Sequence, residues 1–241
     1  MKKHIPNFIT SLNLASGFIS IIFAINGDLV TSSWLILAAM TFDFLDGFFA
    51  RLLKSYSEIG KELDSLADVV SFGVAPAILL YQLLGASMAL NDPMLYNASS
   101  FKTILVLLLP VIIPICAALR LAIFNTDETQ STSFKGLPTP ANALAVISVI
   151  IANHYSDSSL IASFLDSKAS LIIFTIILSI LMVTRIPMLS LKISHFKFKG
   201  NEGRYILVVM VAAAFIIFGV SAAPLIIPIY LIASLISLFF K

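Results

Sequence analysis

Long apolar runs dominate this sequence and restrict it to a helical membrane fold. A helix that crosses a bilayer needs about 20 apolar residues, with a range of about 17–25. The last two runs are short and are separated by a tight turn near Ala222–Pro224, so we expect them to form a closing hairpin. We predict about eight transmembrane helices, over residues 8–26, 32–53, 62–85, 102–124, 139–155, 169–189, 205–220 and 222–240.

The composition supports the same class. The chain is 59% hydrophobic and 12% charged, whereas soluble domains average about 45–50% apolar and about 25% charged residues. The single cysteine, Cys116, excludes an internal disulfide. A net charge of +2 gives no indication of nucleic-acid binding. We therefore predict an all-α integral membrane protein.

The distribution of basic residues predicts the orientation, because cytoplasmic loops are enriched in Lys and Arg. With the N-terminus inside, only Lys102 and Lys168 fall outside, and an even number of spans returns the C-terminus to the inside. The basic, Phe-containing segment 193–204 suits either an interfacial contact with anionic lipid or an ordinary cytoplasmic loop. The residues on the cytoplasmic side are then Lys2, Lys3, Arg51, Lys54, Lys61, Arg120, Lys135, Arg185, Lys192, Lys197, Lys199, Arg204 and Lys241.

Four aspartates lie inside or beside these apolar segments, where carboxylates are costly. Residues three or four apart share a helix face, so Asp43 and Asp46 face one way on the second span. Asp64 and Asp68 likewise share a face of the third span. The loop at 54–60 is short, so the two helices are antiparallel neighbours. Their cytoplasmic ends are expected to bring all four carboxylates together.

This set of carboxylates predicts a two-metal site. Clustered carboxylates repel one another strongly where the dielectric constant is low, and two divalent ions balance four negative charges. Two metals about 3.5–4 Å apart are a known arrangement for clamping phosphate. Aspartates without nearby Cys or His favour hard ions, so we expect Mg²⁺ or Mn²⁺.

Small residues and one arginine accompany the aspartates. Gly47, Ala50 and Gly60 would let a bulky group approach the helix backbone, although close helix packing in a membrane uses the same residue types. Arg51 suits a phosphate oxygen, and it equally suits a cytoplasmic anchor.

The combined pattern is Asp43-x-x-Asp46-Gly47-x-x-Ala50-Arg51, then eight residues, then Gly60-x-x-x-Asp64-x-x-x-Asp68. At every specified position it resembles the signature of the CDP-alcohol phosphatidyltransferase family. Members of that family replace the CMP of a CDP-activated lipid or alcohol with another alcohol. The resemblance implies a six-helix core, two divalent cations and a homodimer.

The resemblance also implies a role for each residue of the pattern. Asp43, Asp46 and Asp64 would ligate the metals, and Asp68 would ligate one metal and act as general base. The CDP moiety would be held by the remaining positions, which are Gly47, Ala50, Arg51 and Gly60.

Three further stretches, residues 5–17, 61–77 and 134–141, resemble the membrane-type, serine-accepting branch of the family in bacteria. That branch uses CDP-diacylglycerol and L-serine, at the cytoplasmic face of the inner membrane. Serine carries a carboxylate, for which we expect Arg120 as partner, with Asn125 and Lys135 as weaker candidates. Ile123 stands where this branch often has a second arginine. Arg120 also suits a plain topological anchor.

The sequence is also compatible with other functions. The same chemistry could use glycerol 3-phosphate, inositol phosphate or choline as acceptor, and intramembrane aspartates also occur in cation or proton transporters. We expect a catalytic core over residues 1–190. Residues 191–241 would add a basic cytoplasmic loop and the closing hairpin.

Overall fold

The computed structural model describes residues 4–91, 101–127, 134–189 and 201–237. Several predictions concern positions outside these ranges. They are most of the basic segment 193–204, the end of the eighth predicted span, and the orienting lysines Lys2, Lys3, Lys192, Lys197, Lys199 and Lys241.

Helices make up nearly all of the described chain, with one two-residue antiparallel ladder. The helices are α1 (His4–Ile25), α2 (Leu29–Leu52), α3 (Glu58–Asp68), α4 (Ala75–Asn91), α5 (Phe101–Leu107), α6 (Ile112–Thr126), α7 (Thr139–Tyr155), α8 (Ser159–Asp166), α9 (Lys168–Val183), α10 (Glu202–Phe218) and α11 (Ile226–Ser237). The ladder pairs β1 (Phe134–Lys135) with β2 (Pro187–Met188). A π-helical segment spans Val69–Val74, and 3-10 segments span Leu109–Val111 and Gly219–Leu225.

Each of the eight predicted spans contains a helix, so the all-α membrane class is confirmed. Among the described residues, four helical runs are long and apolar enough to cross a membrane: His4–Ile25, Glu58–Ala89, Phe101–Thr126 and Glu202–Ser237. Helices α8 and α9 meet at 85° and add a fifth run if the pair forms one span. By length and composition, four or five runs of the described residues could cross a membrane, fewer than the eight predicted spans. One of these runs, Glu202–Ser237, contains two helices, α10 and α11.

Helices α1 and α2 form a tight antiparallel pair. Gly27 adopts a positive φ of 86° in the turn, a conformation that glycine reaches without steric cost. Asp28 then caps α2, accepting a 2.9 Å hydrogen bond from the backbone nitrogen of Thr31. That bond lowers the pKa of Asp28. Farther along the pair, the hydroxyls of Ser20 and Ser32 lie 2.8 Å apart, and small side chains let the two helices approach closely.

The π-helical segment follows Asp68 directly and joins α3 to α4 in one helical run. Pro76 has no N–H for the carbonyl of Phe72 four residues earlier, and Asn142 Nδ2 donates to that carbonyl at 3.1 Å. Ser71 Oγ donates to the Asn13 carbonyl at 3.1 Å. Short π segments are frequent near functional sites, and this one fixes the end of the helix that bears Asp64 and Asp68.

Helix α7 lies in the core of the bundle and packs against α2, α4, α9 and the π-helical segment. It has the predicted bounds, 139–155. Pro138 is the N-cap residue and Pro140 lies in the first turn, where proline is favoured because its missing N–H is not needed there. The core cluster to which it contributes contains Phe72, Leu79, Leu80, Ile113, Ile147 and Leu171, which are among the largest fully buried side chains.

The C-terminal segments form the predicted hairpin. A Cβ added to Gly203, near the start of α10, would lie 2.6 Å from the Cβ of Ser237 at the end of α11. The two helices are therefore antiparallel neighbours, with Ala214, Ala222 and Ile229 buried between them.

Candidate active site

Three of the predicted aspartates converge between α2 and α3, which both pack against α1. Asp43 lies on α2, and Asp64 and Asp68 lie on α3, so the helical spacing places them as the sequence predicts. One carboxylate oxygen from each lies within 4.8 Å of the others. Asp68 is only 7% exposed. Its carboxylate is therefore largely shielded from water.

Asp46 lies beside this group and is also buried. It interacts electrostatically with Asp43, Asp64 and Asp68. Its Oδ2 accepts a 2.6 Å hydrogen bond from Thr10 Oγ1 on α1. The structure thus brings all four predicted aspartates together, three as a close group and the fourth held by a neighbouring helix.

A polar face of α1 contacts these carboxylates. Its residues were not among those predicted from the sequence. Thr10 contacts Asp46, and Asn13 Nδ2 lies 3.5 Å from Asp68 Oδ1. Thr10 and Asn13 are both buried. The available signal was the spacing of Asn7, Thr10 and Asn13, three residues apart on an apolar helix.

The chemistry of these residues fits a divalent metal. Asp64 Oδ1 is buried and has no hydrogen-bond partner among the described residues. Burying an anionic oxygen without compensation is costly, and Mg²⁺ or Mn²⁺ accepts carboxylate oxygens as ligands. The cluster of Asp43, Asp64 and Asp68 could therefore hold a metal ion, with Asp46 next to it.

The four residues predicted to hold CDP occupy two kinds of environment. A Cβ at Gly47 would meet nothing within 4 Å, so this backbone faces open space. A Cβ at Gly60 would lie 2.9 Å from Asn7 Oδ1 and 2.9 Å from Ser57 Oγ, so Gly60 permits close packing. Ala50 is partly buried, and Arg51 is exposed in the last turn of α2. Nucleotide access therefore suits Gly47 best, and the four binding roles stay predictions.

A cavity of about 260 Å³ lies between the end of α6, β1 and the segment after α9. Three cationic residues, Arg120, Lys135 and Arg185, and one carboxylate, Asp127, contribute to its wall. The remaining lining residues are Ile123, Phe124, Met182, Val183 and Thr184.

Arg120 connects this cavity to the aspartates. Its side chain is 8% exposed, and its Nε is buried without a hydrogen-bond partner in the described part of the chain. It interacts electrostatically with Asp68. A buried guanidinium with an unpaired N–H, lining a cavity next to a carboxylate, is well placed to bind an anionic group.

The other predicted acceptor residues differ in position. Lys135 lines the cavity, where its Nζ lies 3.3 Å from Asp127 Oδ2. Asn125 is not among the lining residues, and its Nδ2 donates to Ser65 Oγ at 2.8 Å. Arg185, which the sequence analysis treated only as an orienting charge, is part of the cavity wall.

The fold and the site define an all-helical membrane protein with a buried acidic centre of the metal-binding type. The chain belongs to the CDP-alcohol phosphatidyltransferase family, whose model matches residues 3–195. Members of this family transfer phosphatidyl groups to alcohols and use divalent metal.

Several curated relatives of known name are similar to the chain over most of its length. The chain is 33% identical to the CDP-diacylglycerol–serine O-phosphatidyltransferase of Helicobacter pylori, over 96% of this chain and 89% of that protein. It is 32% identical to the Bacillus subtilis protein of the same name, over 83% of this chain and 95% of that protein. It is 38% identical to the archaetidylserine synthase of Methanothermobacter thermautotrophicus, where the match covers 64% of this chain and 61% of the relative.

Proposed function

We propose that this protein transfers the phosphatidyl group of CDP-diacylglycerol to the hydroxyl of L-serine, giving phosphatidylserine and CMP. Family membership supports the reaction class. The relatives from Helicobacter and Bacillus are named for serine as acceptor, and the archaeal relative is named for a serine-containing lipid product.

The observation that best supports serine is the cavity beside Asp68. Serine presents a carboxylate, an ammonium group and a hydroxyl. Arg120 and Arg185 offer guanidinium groups for the carboxylate, and Asp127 offers an oxygen for the ammonium. Because Arg120 also interacts with Asp68, a carboxylate bound there would hold the serine hydroxyl near the carboxylate of Asp68.

The transfer requires one bond to form and one to break. The serine hydroxyl oxygen attacks the phosphorus of the phosphatidyl group, and the bond from that phosphorus to the CMP oxygen breaks. Asp68 takes the hydroxyl proton as the attack begins. Since the acceptor is itself the nucleophile, the protein forms no covalent intermediate.

Four aspartates would hold the metal ions, with Asp43, Asp64 and Asp68 in the close group and Asp46 alongside. The ions would be Mg²⁺ or Mn²⁺, and when bound they supply positive charge to the diphosphate oxygens and the departing CMP. The open space at Gly47 would admit the CDP headgroup, and Ala50, Arg51 and Gly60 are the other residues predicted to contact it. The acyl chains would stay in the bilayer.

The cellular arrangement follows from the same proposal. Serine is a cytoplasmic metabolite, so the active site and both termini would face the cytoplasm of a bacterial inner membrane. Arg120, Lys135 and Arg185 lie around one cavity, which fits the predicted enrichment of basic residues on that side. A homodimer, the division at residue 190 and a lipid-binding role for the 192–204 loop stay predictions.

One alternative acceptor has specific support. The three cationic residues of the cavity would also suit a phosphorylated alcohol such as glycerol 3-phosphate. Asp127 pairs with Lys135, which lowers the net positive charge there and favours a zwitterion. Choline lacks an anionic group and fits this cavity less well. Membership of a transferase family argues against the transporter alternative.

The test is to identify the lipid product. Purified protein in detergent or nanodiscs is given labelled CDP-diacylglycerol and Mn²⁺, with serine, glycerol 3-phosphate, inositol phosphate or choline in separate reactions. We expect phosphatidylserine and CMP in equal amounts with serine alone. A different lipid would overturn the assignment of serine, and the absence of product with every acceptor would overturn the proposed reaction.

A further inference from the structure

We propose that the C-terminal hairpin positions the cationic cavity, with Tyr230 and Ser234 of α11 as positioning residues for the acceptor. The proposal rests on the function proposed above. The hairpin begins after the segment that the family model matches, which ends at residue 195. It therefore adds to the family core a part whose contribution the core pattern does not describe.

Tyr230 and Ser234 hold both backbone groups of a single residue, Leu189. The Tyr230 hydroxyl donates to the Leu189 carbonyl at 2.9 Å. The Leu189 nitrogen donates to Ser234 Oγ at 3.1 Å. Ser234 gives its own proton to the Tyr230 carbonyl at 2.7 Å, which leaves its oxygen free to accept. Both side chains are buried, so water does not compete for these bonds.

Leu189 follows β2 on the segment that continues one wall of the cavity. That wall includes Met182, Val183, Thr184 and Arg185, and β2 begins two residues later at Pro187. With Leu189 held by α11, the described residues from the end of α9 to Leu189 are fixed at both ends.

The opposite wall depends on the same segment. Lys135 of β1 is paired with Pro187 of β2. Beyond the ladder, Gly136 N donates to the Ile186 carbonyl at 2.9 Å. A displacement of the segment after α9 would therefore move Lys135 and Arg185 together.

Tyr230 also approaches the buried arginine. Its hydroxyl lies within electrostatic range of the Arg120 guanidinium. Tyr230 thus binds the backbone of Leu189 and lies within electrostatic range of Arg120, the residue proposed to bind the acceptor carboxylate. These contacts make α11 a support for the acceptor side of the site, whereas the carboxylates are supported by α1.

The test compares Tyr230→Phe and Ser234→Ala with the wild-type protein. Each change removes one hydrogen bond to Leu189 and leaves the aspartates untouched. We expect the KM for serine to rise about two- to tenfold, the range that one hydrogen bond contributes to an equilibrium. The KM for CDP-diacylglycerol and the amount of folded protein should stay unchanged. Matched controls are Tyr81→Phe on α4 and Ser11→Ala on α1, both exposed.

Hydrogen–deuterium exchange of the ligand-free protein provides a second readout. The amides of residues 182–189 should exchange faster in both variants than in the controls. Unchanged exchange, or equal rises in KM for both substrates, would overturn the positioning role. If wild-type protein makes no phosphatidylserine, the proposed function fails. Faster exchange confined to the wall would then still establish the structural support, and its absence would refute it.

Discussion

Thr10 Oγ1 donates a 2.6 Å hydrogen bond to Asp46 Oδ2, joining α1 to the acidic centre. The same hydroxyl lies 3.0 Å from the Pro6 carbonyl, and it has a single proton. The shorter bond goes to the charged acceptor, as expected for a charge-assisted interaction. One oxygen of Asp46 is thereby held in place beside the group of Asp43, Asp64 and Asp68.

Replacing Thr10 with valine keeps the shape of the side chain and removes this bond. Outer partners of metal-binding carboxylates typically change metal affinity or activity by about 10–100-fold. We therefore expect Thr10→Val to bind Mn²⁺ at least about tenfold more weakly, measured by calorimetry or electron paramagnetic resonance on the purified protein. The Mn²⁺ concentration for half-maximal activity should rise in parallel.

Two variants control for the loss of the hydroxyl. Thr10→Ser retains a donor and should bind Mn²⁺ like the wild type. Thr175→Val removes a buried hydroxyl whose one hydrogen bond among the described residues is to its own helix, at the Leu171 carbonyl 2.8 Å away. If Thr175→Val weakens Mn²⁺ binding as much as Thr10→Val, the effect is general destabilisation and the role of Thr10 is wrong.

Asp68 should be indispensable for turnover. Asp68→Asn cannot accept the serine proton as a carboxylate does and removes one ligand charge. CMP release from CDP-diacylglycerol and serine should fall by at least about 100-fold, since general-base catalysis alone contributes about 10²–10⁴-fold. Monodisperse elution in detergent would show that the protein is folded. Asp157→Asn, at an exposed loop position, is the charge-matched control, and substantial activity in Asp68→Asn would exclude Asp68 as the base.

Chelation should stop the reaction reversibly. The close group of Asp43, Asp64 and Asp68 repels itself unless a cation compensates it, and Mg²⁺ or Mn²⁺ is the compensation that oxygen ligands favour. EDTA treatment should abolish CMP release, and added Mg²⁺ or Mn²⁺ should restore it. Metal removal should also lower the melting temperature, since an ion that binds only the folded state stabilises it. A fully active EDTA-treated protein would rule out the two-metal proposal.

Local regularities made the acidic centre predictable. The period of the α-helix places Asp43 with Asp46 and Asp64 with Asp68, and the short loop between α2 and α3 keeps the two pairs near each other. The predicted direct packing of α2 against α3 is replaced by packing of both helices against α1. The apolar runs similarly located the main helices. Both inferences use neighbours in sequence, for which spacing determines geometry.

Contacts between distant segments were not predictable in this way. Arg185 joins Arg120 only because the segment after α9 pairs with β1, and a two-residue ladder leaves no periodic signal. Asn125, a weaker candidate for binding the serine carboxylate, instead donates to Ser65. Helix α8 was missed because eight residues are too few for a span.

Arg120 should govern the affinity for the acceptor. Arg120→Ala removes the buried guanidinium beside Asp68, so the KM for serine should rise by about tenfold or more, as expected for a charge-assisted hydrogen bond. The KM for CDP-diacylglycerol should change little. Lys102→Ala, which removes an exposed cation of α5, is the control. Equal increases in both KM values would argue against binding of the serine carboxylate by Arg120.

Replacing Gly47 with alanine should affect protein stability and the binding of CDP-diacylglycerol in opposite directions. A Cβ there would meet nothing within 4 Å, and alanine in a helix is favoured over glycine by about 0.5–1 kcal/mol. Gly47→Ala should therefore raise the melting temperature in detergent slightly, while the added methyl obstructs the CDP headgroup and raises the KM for CDP-diacylglycerol. Gly85→Ala, whose Cβ would meet only Leu107 Cδ2 at 3.8 Å, should stabilise without a kinetic effect. An unchanged donor KM in Gly47→Ala would show that the nucleotide does not use this space.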